Sequence, residues 1–245
     1  MKNSLLNSLM VMGAVLTVIG CGGGSTLTGE EEVLPPISEL PSSTLSEELK
    51  DTITYMYNEE SLAYDVYLNV NKELVAKYDI NVSTLHNIAT KSESEHMQKV
   101  DTLASTYDLN MSTYDPTLEP YSKESIGDGK YSVSHVQELY DLLYTKGIKS
   151  EREALEVGCM VEVVDIADLD EYILLAQKSK ASDVLSVFYE LRQGSYNHYW
   201  KFNEALKKLN DPIGLDKFVG CCSVADYDIY NFCHIDDYPS STNGN

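Results

Sequence analysis

The chain of 245 residues is long enough for one domain of ordinary size with additional tails. Its 39 acidic residues outnumber the 18 basic ones and give a formal net charge of −21, which argues against electrostatic binding of nucleic acid or of an anionic membrane surface. Hydrophobic residues make up 43% of the chain, enough for a real core, and the acidic side chains attract metal cations.

The first 20 residues have the pattern of an export signal. Lys2 precedes an apolar run that is too short to span a bilayer permanently but suits a signal peptide. The run ends in Val-Ile-Gly-Cys at 18–21, which resembles the bacterial lipobox. That resemblance implies cleavage before Cys21, lipidation of Cys21 and attachment to the cell envelope through lipid alone. An ordinary signal peptide that ends near a cysteine is the alternative.

The next residues predict a tether and then a long helix. Residues 21–45 are rich in glycine, serine and proline, which is typical of a flexible linker. A first helix is predicted from near Ser46 to about Lys77, because apolar residues recur there at helical spacing. Only Glu60 is out of character on its apolar stripe. Glu59 lies beside the stripe and is expected in solvent.

A second helix is predicted to begin after Ser83, as its N-cap, and to end near 108–110. Its apolar stripe contains Glu93 and His96, one helical turn apart, where apolar side chains are expected. Burial of such groups is costly unless they are paired or bound to a metal. A long connection rich in proline and glycine follows, and it contains a shorter helix from about 132 to 146.

Two further long helices are predicted after this connection. The third begins with a capping box at 150–153 and the fourth begins near 182. Glu162 interrupts the apolar stripe of the third helix, and Asp165 lies close to the same face. Ser195 and His198 interrupt the stripe of the fourth helix.

No strand-like alternation competes with these segments, so we predict an all-α fold. Residues 46–210 would form a four-helix bundle with a long connection and one extra helix between helices 2 and 3. Residues 211–245 would form a cysteine-containing tail.

Ligand-type residues on four helices predict one shared metal site. A single buried histidine or glutamate is ordinary, but a polar interruption near the middle of each helix favours a joint site. Four carboxylates and two neutral imidazoles would carry a charge of −4, which two divalent cations would neutralise. Oxygen and nitrogen donors suit iron or manganese, with zinc as an alternative. The predicted ligands are Glu60, Glu93, His96, Glu162, Asp165 and His198.

Several motifs resemble those of rubrerythrin-type, ferritin-like proteins. The Glu-Ser-Leu-Ala motif at 60–63, followed by tyrosines, resembles their first helix, and Glu-Ser-Glu-His at 93–96 resembles their second. Glu162 and Asp165, three residues apart, resemble their third-helix carboxylates. Over about residues 50–210 the chain most resembles the ferritin-like family known as domain of unknown function 2202, whose further features reappear at 59–63, 164–169 and 194–198.

This resemblance implies a ferritin-like bundle with a di-iron carboxylate centre. Glu60, Glu93 and His96 would hold the first metal, and Glu162, Asp165 and His198 the second, with Glu93 bridging. One departure matters, because ferritin-like di-iron enzymes have glutamate where this chain has Ser195. Asp165 would compensate from the third helix, or one metal position would be weak or empty.

The cysteines beyond Cys21 are interpreted structurally. Cys159 lies on the third-helix stripe and is most simply a small buried hydrophobe. In an exported protein the tail could form one disulfide, in which Cys233 pairs with Cys221 or with Cys222. A cysteine-rich metal site is the weaker alternative, because no Cys-x-x-Cys pair occurs.

Two functional hypotheses follow. The first is oxidation of ferrous iron, or reduction of oxygen or peroxide, by an envelope lipoprotein with paired iron ions. The alternative is a non-catalytic envelope protein that binds metal or acts as a structural or interaction bundle. The expected partners are metal ions and, through lipid only, the membrane, with a homodimer left open and nucleic acid excluded.

Overall fold

The computed structural model describes residues 43–109, 126–131, 133–210, 220–225, 227 and 230–240. Cys21, the predicted signal peptide and most of the predicted tether lie outside these residues. The described chain is helical, apart from loops and one isolated bridge between Tyr227 and Tyr230. Its α-helices are α1 (Glu47–Tyr78), α2 (Ser83–Asn87), α3 (Ser94–Thr106), α4 (Ser134–Gly147), α5 (Glu151–Ser179) and α6 (Ser182–Asn210).

The predicted all-α bundle with an extra helix is confirmed. α2 and α3 are joined by a π-helical turn, Ile88–Glu93, into one long segment, and α4 is the extra helix. α5 packs most extensively against α6, while α1 packs against α3, the π-helical turn and α5. α4 lies against both α1 and α5. Within the described ranges, none of the helices combines the length and apolar character that crossing a membrane requires.

A serine N-cap begins the first and third predicted helices, but not the second. The Ser46 hydroxyl accepts a hydrogen bond from the Leu49 N–H at 3.2 Å, and the Ser150 hydroxyl accepts one from the Glu153 N–H at 3.3 Å. The prediction that Ser83 caps the second helix is wrong, because Ser83 is already helical and Val82 precedes it. A tertiary contact holds this entry instead, since the Val82 N–H donates to Asn71 Oδ1 at 2.7 Å.

Two disulfides tie the tail to itself and to the bundle. Cys222 pairs with Cys233, which is one of the two predicted alternatives. The interpretation of Cys159 as a free buried residue is wrong, because it pairs with Cys221. The tail can reach α5 because the Cys221 N–H donates to Asn203 Oδ1 of α6 at 3.0 Å, which places Cys221 against the bundle.

Loss of the Cys159–Cys221 disulfide should lower the free energy of unfolding by about 2–4 kcal/mol, because the cross-link restricts the unfolded chain. The two cysteines are 62 residues apart, whereas Cys222 and Cys233 are 11 apart. Double alanine replacement of the first pair should therefore cost about 1.5 kcal/mol more than that of the second pair. Denaturant unfolding measures both, and equal losses would contradict the expectation.

Candidate metal centre

Five of the six predicted ligands meet in the core of the bundle. They come from α1, the π-helical turn, α3, α5 and α6, and the exposed fraction of each residue is between 1% and 4%. Burial of this kind requires that charges be neutralised by partners. The five residues are Glu60, Glu93, His96, Glu162 and His198.

Glu93 lies at the centre of this cluster. Its Oε2 lies 3.1 Å from His96 Nδ1, and its Oε1 lies 3.0 Å from His198 Nδ1. The potential ligand atoms form two groups, Glu60–Glu93–His96 and Glu93–Glu162–His198. Within each group, the three ligand atoms lie within 4.8 Å of one another. Glu93 is therefore the one carboxylate that both groups share, with one oxygen directed to each histidine.

The outer carboxylates complete the two groups. Glu60 Oε2 lies 3.1 Å from His96 Nδ1, and Glu162 Oε2 lies 3.5 Å from His198 Nδ1. The two imidazole rings are stacked, with their centroids 5.3 Å apart. Both histidines thus direct Nδ1 toward two carboxylates, which is an arrangement that needs a cation, either a proton or a metal ion, at each nitrogen.

Neighbouring groups hold the ligands in place. His198 Nε2 lies 2.6 Å from Ser92 Oγ, and a proton on Nε2 leaves the Nδ1 lone pair directed at the carboxylates. The buried Tyr67 hydroxyl donates to Glu162 Oε1 at 2.6 Å, which leaves Glu162 Oε2 for the cluster. Gly194 of α6 lies against the His96 ring, because an added Cβ would be 2.4 Å from His96 Nε2.

The π-helical turn delivers two of these residues. Ser92 and Glu93 are its last residues, and a wider helical turn changes the register of the side chains that follow. The Thr90 hydroxyl donates to the His86 carbonyl at 2.8 Å, and the Ser94 hydroxyl donates to the Thr90 carbonyl at 3.0 Å. The residue pattern alone did not reveal Ser92, although hydroxyl residues at 90, 92 and 94 are a local signal of irregular helix geometry.

Without metal, protons take the cation positions in this cluster. Burial raises the pKa of Glu60 to about 7, against the effect of His96. Burial would lower the pKa of His198, but Glu93 and Glu162 raise it to about 10. Burial likewise opposes ionisation of Glu93, yet His198 and His96 bring its pKa below the ordinary value. The cluster is therefore a strong attractor of positive charge.

Two buried atoms indicate that a metal ion fits there. Glu60 Oε1 is enclosed and makes no hydrogen bond, and the enclosed His198 Nδ1 has carboxylate oxygens at 3.0 and 3.5 Å but no aligned hydrogen bond. Both are atoms of metal-ligand type, and each belongs to a residue of the two groups around Glu93. A metal ion would satisfy both atoms, since carboxylate oxygen and imidazole nitrogen are ordinary ligands of first-row divalent metals.

Asp165, the sixth predicted ligand, lies beside the cluster and belongs to neither group. Its Oδ2 contacts the Ser195 hydroxyl, and Ser195 Oγ also lies 3.0 Å from the Leu191 carbonyl oxygen. A serine hydroxyl has one proton, so if that proton goes to Leu191, the Asp165 carboxyl supplies the proton between Asp165 and Ser195. This agrees with the pKa of Asp165, which burial and the charges of Glu60 and Glu162 raise well above its ordinary value.

The sequence predicted that Glu59 lies in solvent, and this prediction is wrong. Its Oε2 is enclosed, and its carboxyl group is within hydrogen-bond reach of the buried Asp168 carboxyl on α5. The helical spacing placed Glu59 beside the apolar stripe, but α5 covers that flank of α1. Asp168 was not recognised as a site residue, because only the packing of α5 on α1 brings it to Glu59.

A partly open cavity borders the cluster. Apolar residues of α4 form one wall of it, among them Val136, Leu139 and Leu143. Its acidic lining consists of Glu59, Glu60, Glu93, Glu162 and Asp165. The extra helix thus covers the carboxylates with an apolar surface, which lowers the local dielectric and strengthens electrostatic attraction to a bound cation.

Ser92→Ala should weaken metal binding at the His198 position by about 10- to 100-fold, because the second ring nitrogen loses the partner that orients it. Ser94→Ala is a matched control, since the Ser94 hydroxyl bonds only to the backbone of its own helix. Isothermal titration of each variant with Mn²⁺ measures the change. Equal affinities in Ser92→Ala and Ser94→Ala would show that the Ser92 contact is irrelevant to the ligand.

The fold and the site define the class of protein: an all-α bundle whose core holds two histidines and three glutamates, one of which is shared by two ligand groups. The chain belongs to the family described as an uncharacterized protein domain (DUF2202), whose model matches residues 49–211. Membership in that family was predicted from the motifs and is confirmed.

An archaeal protein is similar to this chain in sequence and in structure. The chain is 38% identical over 170 residues to the uncharacterized protein MJ0754 of Methanocaldococcus jannaschii, covering 69% of this chain and 81% of the relative. The crystal structure of hypothetical protein MJ0754 from Methanococcus jannaschii matches with a TM-score of 0.57 and 36% identity. That match covers 70% of this chain and 86% of the solved one.

Proposed function

We propose that this protein is a ferritin-like metalloprotein with two divalent metal ions, iron in the first instance, that oxidises ferrous iron or reduces oxygen or peroxide. One observation carries the proposal: Glu93 directs one carboxylate oxygen to His96 Nδ1 and the other to His198 Nδ1, at 3.1 and 3.0 Å. A carboxylate placed in this way between two equivalent nitrogen ligands is suited to bridge two metal ions.

The residues divide into two ligand sets. Glu60, Glu93 and His96 would hold the first ion, and Glu93, Glu162 and His198 the second. Asp165, held by Ser195, would supply the fourth carboxylate from α5 in place of the glutamate that ferritin-like di-iron enzymes have on the last helix. Four carboxylates and two neutral imidazoles then balance two divalent cations.

The protein groups provide the setting for the chemistry. Paired iron ions, when bound, supply electron transfer to oxygen or peroxide. The α4 wall presents apolar side chains to the carboxylates, Tyr67 holds Glu162 through a hydrogen bond, and Ser92 orients His198. In the metal-free protein the Asp165 carboxyl holds a proton next to Ser195 Oγ, and on metal binding Asp165 would release that proton into the cavity that it lines.

We place this activity in the bacterial cell envelope, on a lipid anchor at Cys21. The apolar N-terminal run and the lipobox-like sequence at 18–21 support export. The two disulfides also support it, because such bonds persist mainly in oxidising compartments.

The test is oxygen consumption by the purified chain after addition of ferrous iron, with Glu93→Gln as the comparison. Consumption that depends on Glu93, together with about two bound iron ions per chain that are lost in Glu93→Gln, is the expected result. Ser195 favours one alternative, a metal-binding envelope protein without catalysis, because the residue that usually completes the second ligand set is missing. Iron binding without Glu93-dependent oxygen consumption would establish that alternative.

A further inference from the structure

We propose that Glu59 and Asp168 form a third cation site, separate from the two groups around Glu93, through which divalent ions reach the centre. Glu59 belongs to α1 and Asp168 to α5, and their carboxyl groups are within hydrogen-bond reach of each other. The inference rests on the proposed function, because a site that passes ions to the centre requires that metal ions bind at the centre.

The first argument is the lack of positive partners. Glu59 Oε2 and Asp168 Oδ2 are enclosed, and neither receives a hydrogen bond from any donor in the described part of the chain. No lysine or arginine among the described residues forms an ion pair with either carboxylate. Asp168 as a whole is only 6% exposed. Two buried carboxylates without a donor require a cation between them.

The second argument is charge, which favours a divalent ion over a shared proton. Two carboxylates carry a charge of −2, and one shared proton would leave a charge of −1 at a place where Asp168 Oδ2 and Glu59 Oε2 are shielded from solvent. A divalent ion would neutralise the pair completely. Carboxylate oxygens are hard ligands, which suit manganese or ferrous iron with water in the remaining positions.

The third argument is position. Glu59 lines the same cavity as Glu60, Glu93, Glu162 and Asp165, so an ion at Glu59 faces the predicted centre through that cavity. Glu59 also directly precedes Glu60 on α1. An ion held by the pair therefore borders the same cavity as the carboxylates of the first ligand set.

The experiment is titration of the full chain with Mn²⁺, with free manganese counted by electron paramagnetic resonance. The wild type should bind three equivalents, and Glu59→Gln/Asp168→Asn should bind two with unchanged affinity. Glu95→Gln/Asp108→Asn removes the same charge from exposed positions and should keep three equivalents. Crystals of the wild type soaked in Mn²⁺ should show an anomalous peak between Glu59 and Asp168, a readout that does not depend on the folding of any variant.

The outcomes separate this inference from the proposed function. Two equivalents in all three proteins, or no anomalous peak between Glu59 and Asp168, would overturn the third site and leave the centre around Glu93 intact. No binding of manganese by any of the proteins would overturn both proposals.

Discussion

Glu93→Gln should abolish stoichiometric metal binding at both positions, whereas loss of any other ligand should affect mainly one. The amide keeps the size of the side chain but removes the charge, and only one of its two polar atoms can still accept. Because the two oxygens of Glu93 face different histidines, the change reaches both ligand sets. We expect the affinity for metal to fall at least about 100-fold at each position. This exceeds the loss of affinity expected when a residue that only hydrogen-bonds to a ligand, such as Ser92, is removed.

Elemental analysis after iron loading measures this effect directly. Glu95→Gln is the matched control, because Glu95 lies two residues further along the same motif and is exposed. The control should retain the metal content of the wild type. A Glu93→Gln protein that loses only one metal ion relative to the wild type would show that the two positions do not share Glu93.

Gly194→Ala should remove the His96 metal position while the His198 position survives. A Cβ at residue 194 would lie 2.4 Å from His96 Nε2 and 2.5 Å from His96 Cε1, far inside contact distance. The ring cannot retreat freely, since its Nδ1 lies 3.1 Å from both Glu60 and Glu93. The expected result is displacement of the ring, with about 1–3 kcal/mol of lost stability from overpacking.

Metal stoichiometry and thermal unfolding together test this expectation. Gly194→Ala should bind one metal ion fewer than the wild type, as His96→Ala should, and should keep its helical circular dichroism. Gln193→Ala, at the exposed neighbouring position, should leave both metal positions unchanged. If Gly194→Ala binds as many metal ions as the wild type and with the same affinity, the close approach of α6 to His96 does not constrain the ligand.

The placement of Glu60, Glu93, His96, Glu162 and His198 in the core could be predicted because helix periodicity is a local property. A residue on the apolar face of a helix becomes buried whichever helix covers it. Asp165 was placed on its helix by the same rule, yet it belongs to neither ligand group. Periodicity fixes the direction of a side chain, but the distance to another helix depends on packing.

The remaining features depend on contacts between segments that are far apart in the chain. Cys159 pairs with Cys221 only because the tail folds back on the bundle, and Glu59 meets Asp168 only because α5 covers one flank of α1. The π-helical turn brings Ser92 to His198, which is 106 residues away. None of these contacts has a local periodic signal, because each arises when separate helices pack.

By itself, then, the sequence determined the all-α class, the helices, the family and the buried polar faces, all of which follow from short-range spacing and motif. Only the tertiary structure decided that Glu93 stands between two histidines, that Gly194 makes room for His96 and that Glu59 is enclosed. The physical reason is that side-chain direction is set within a few residues, while coordination and charge pairing are set across the space between helices.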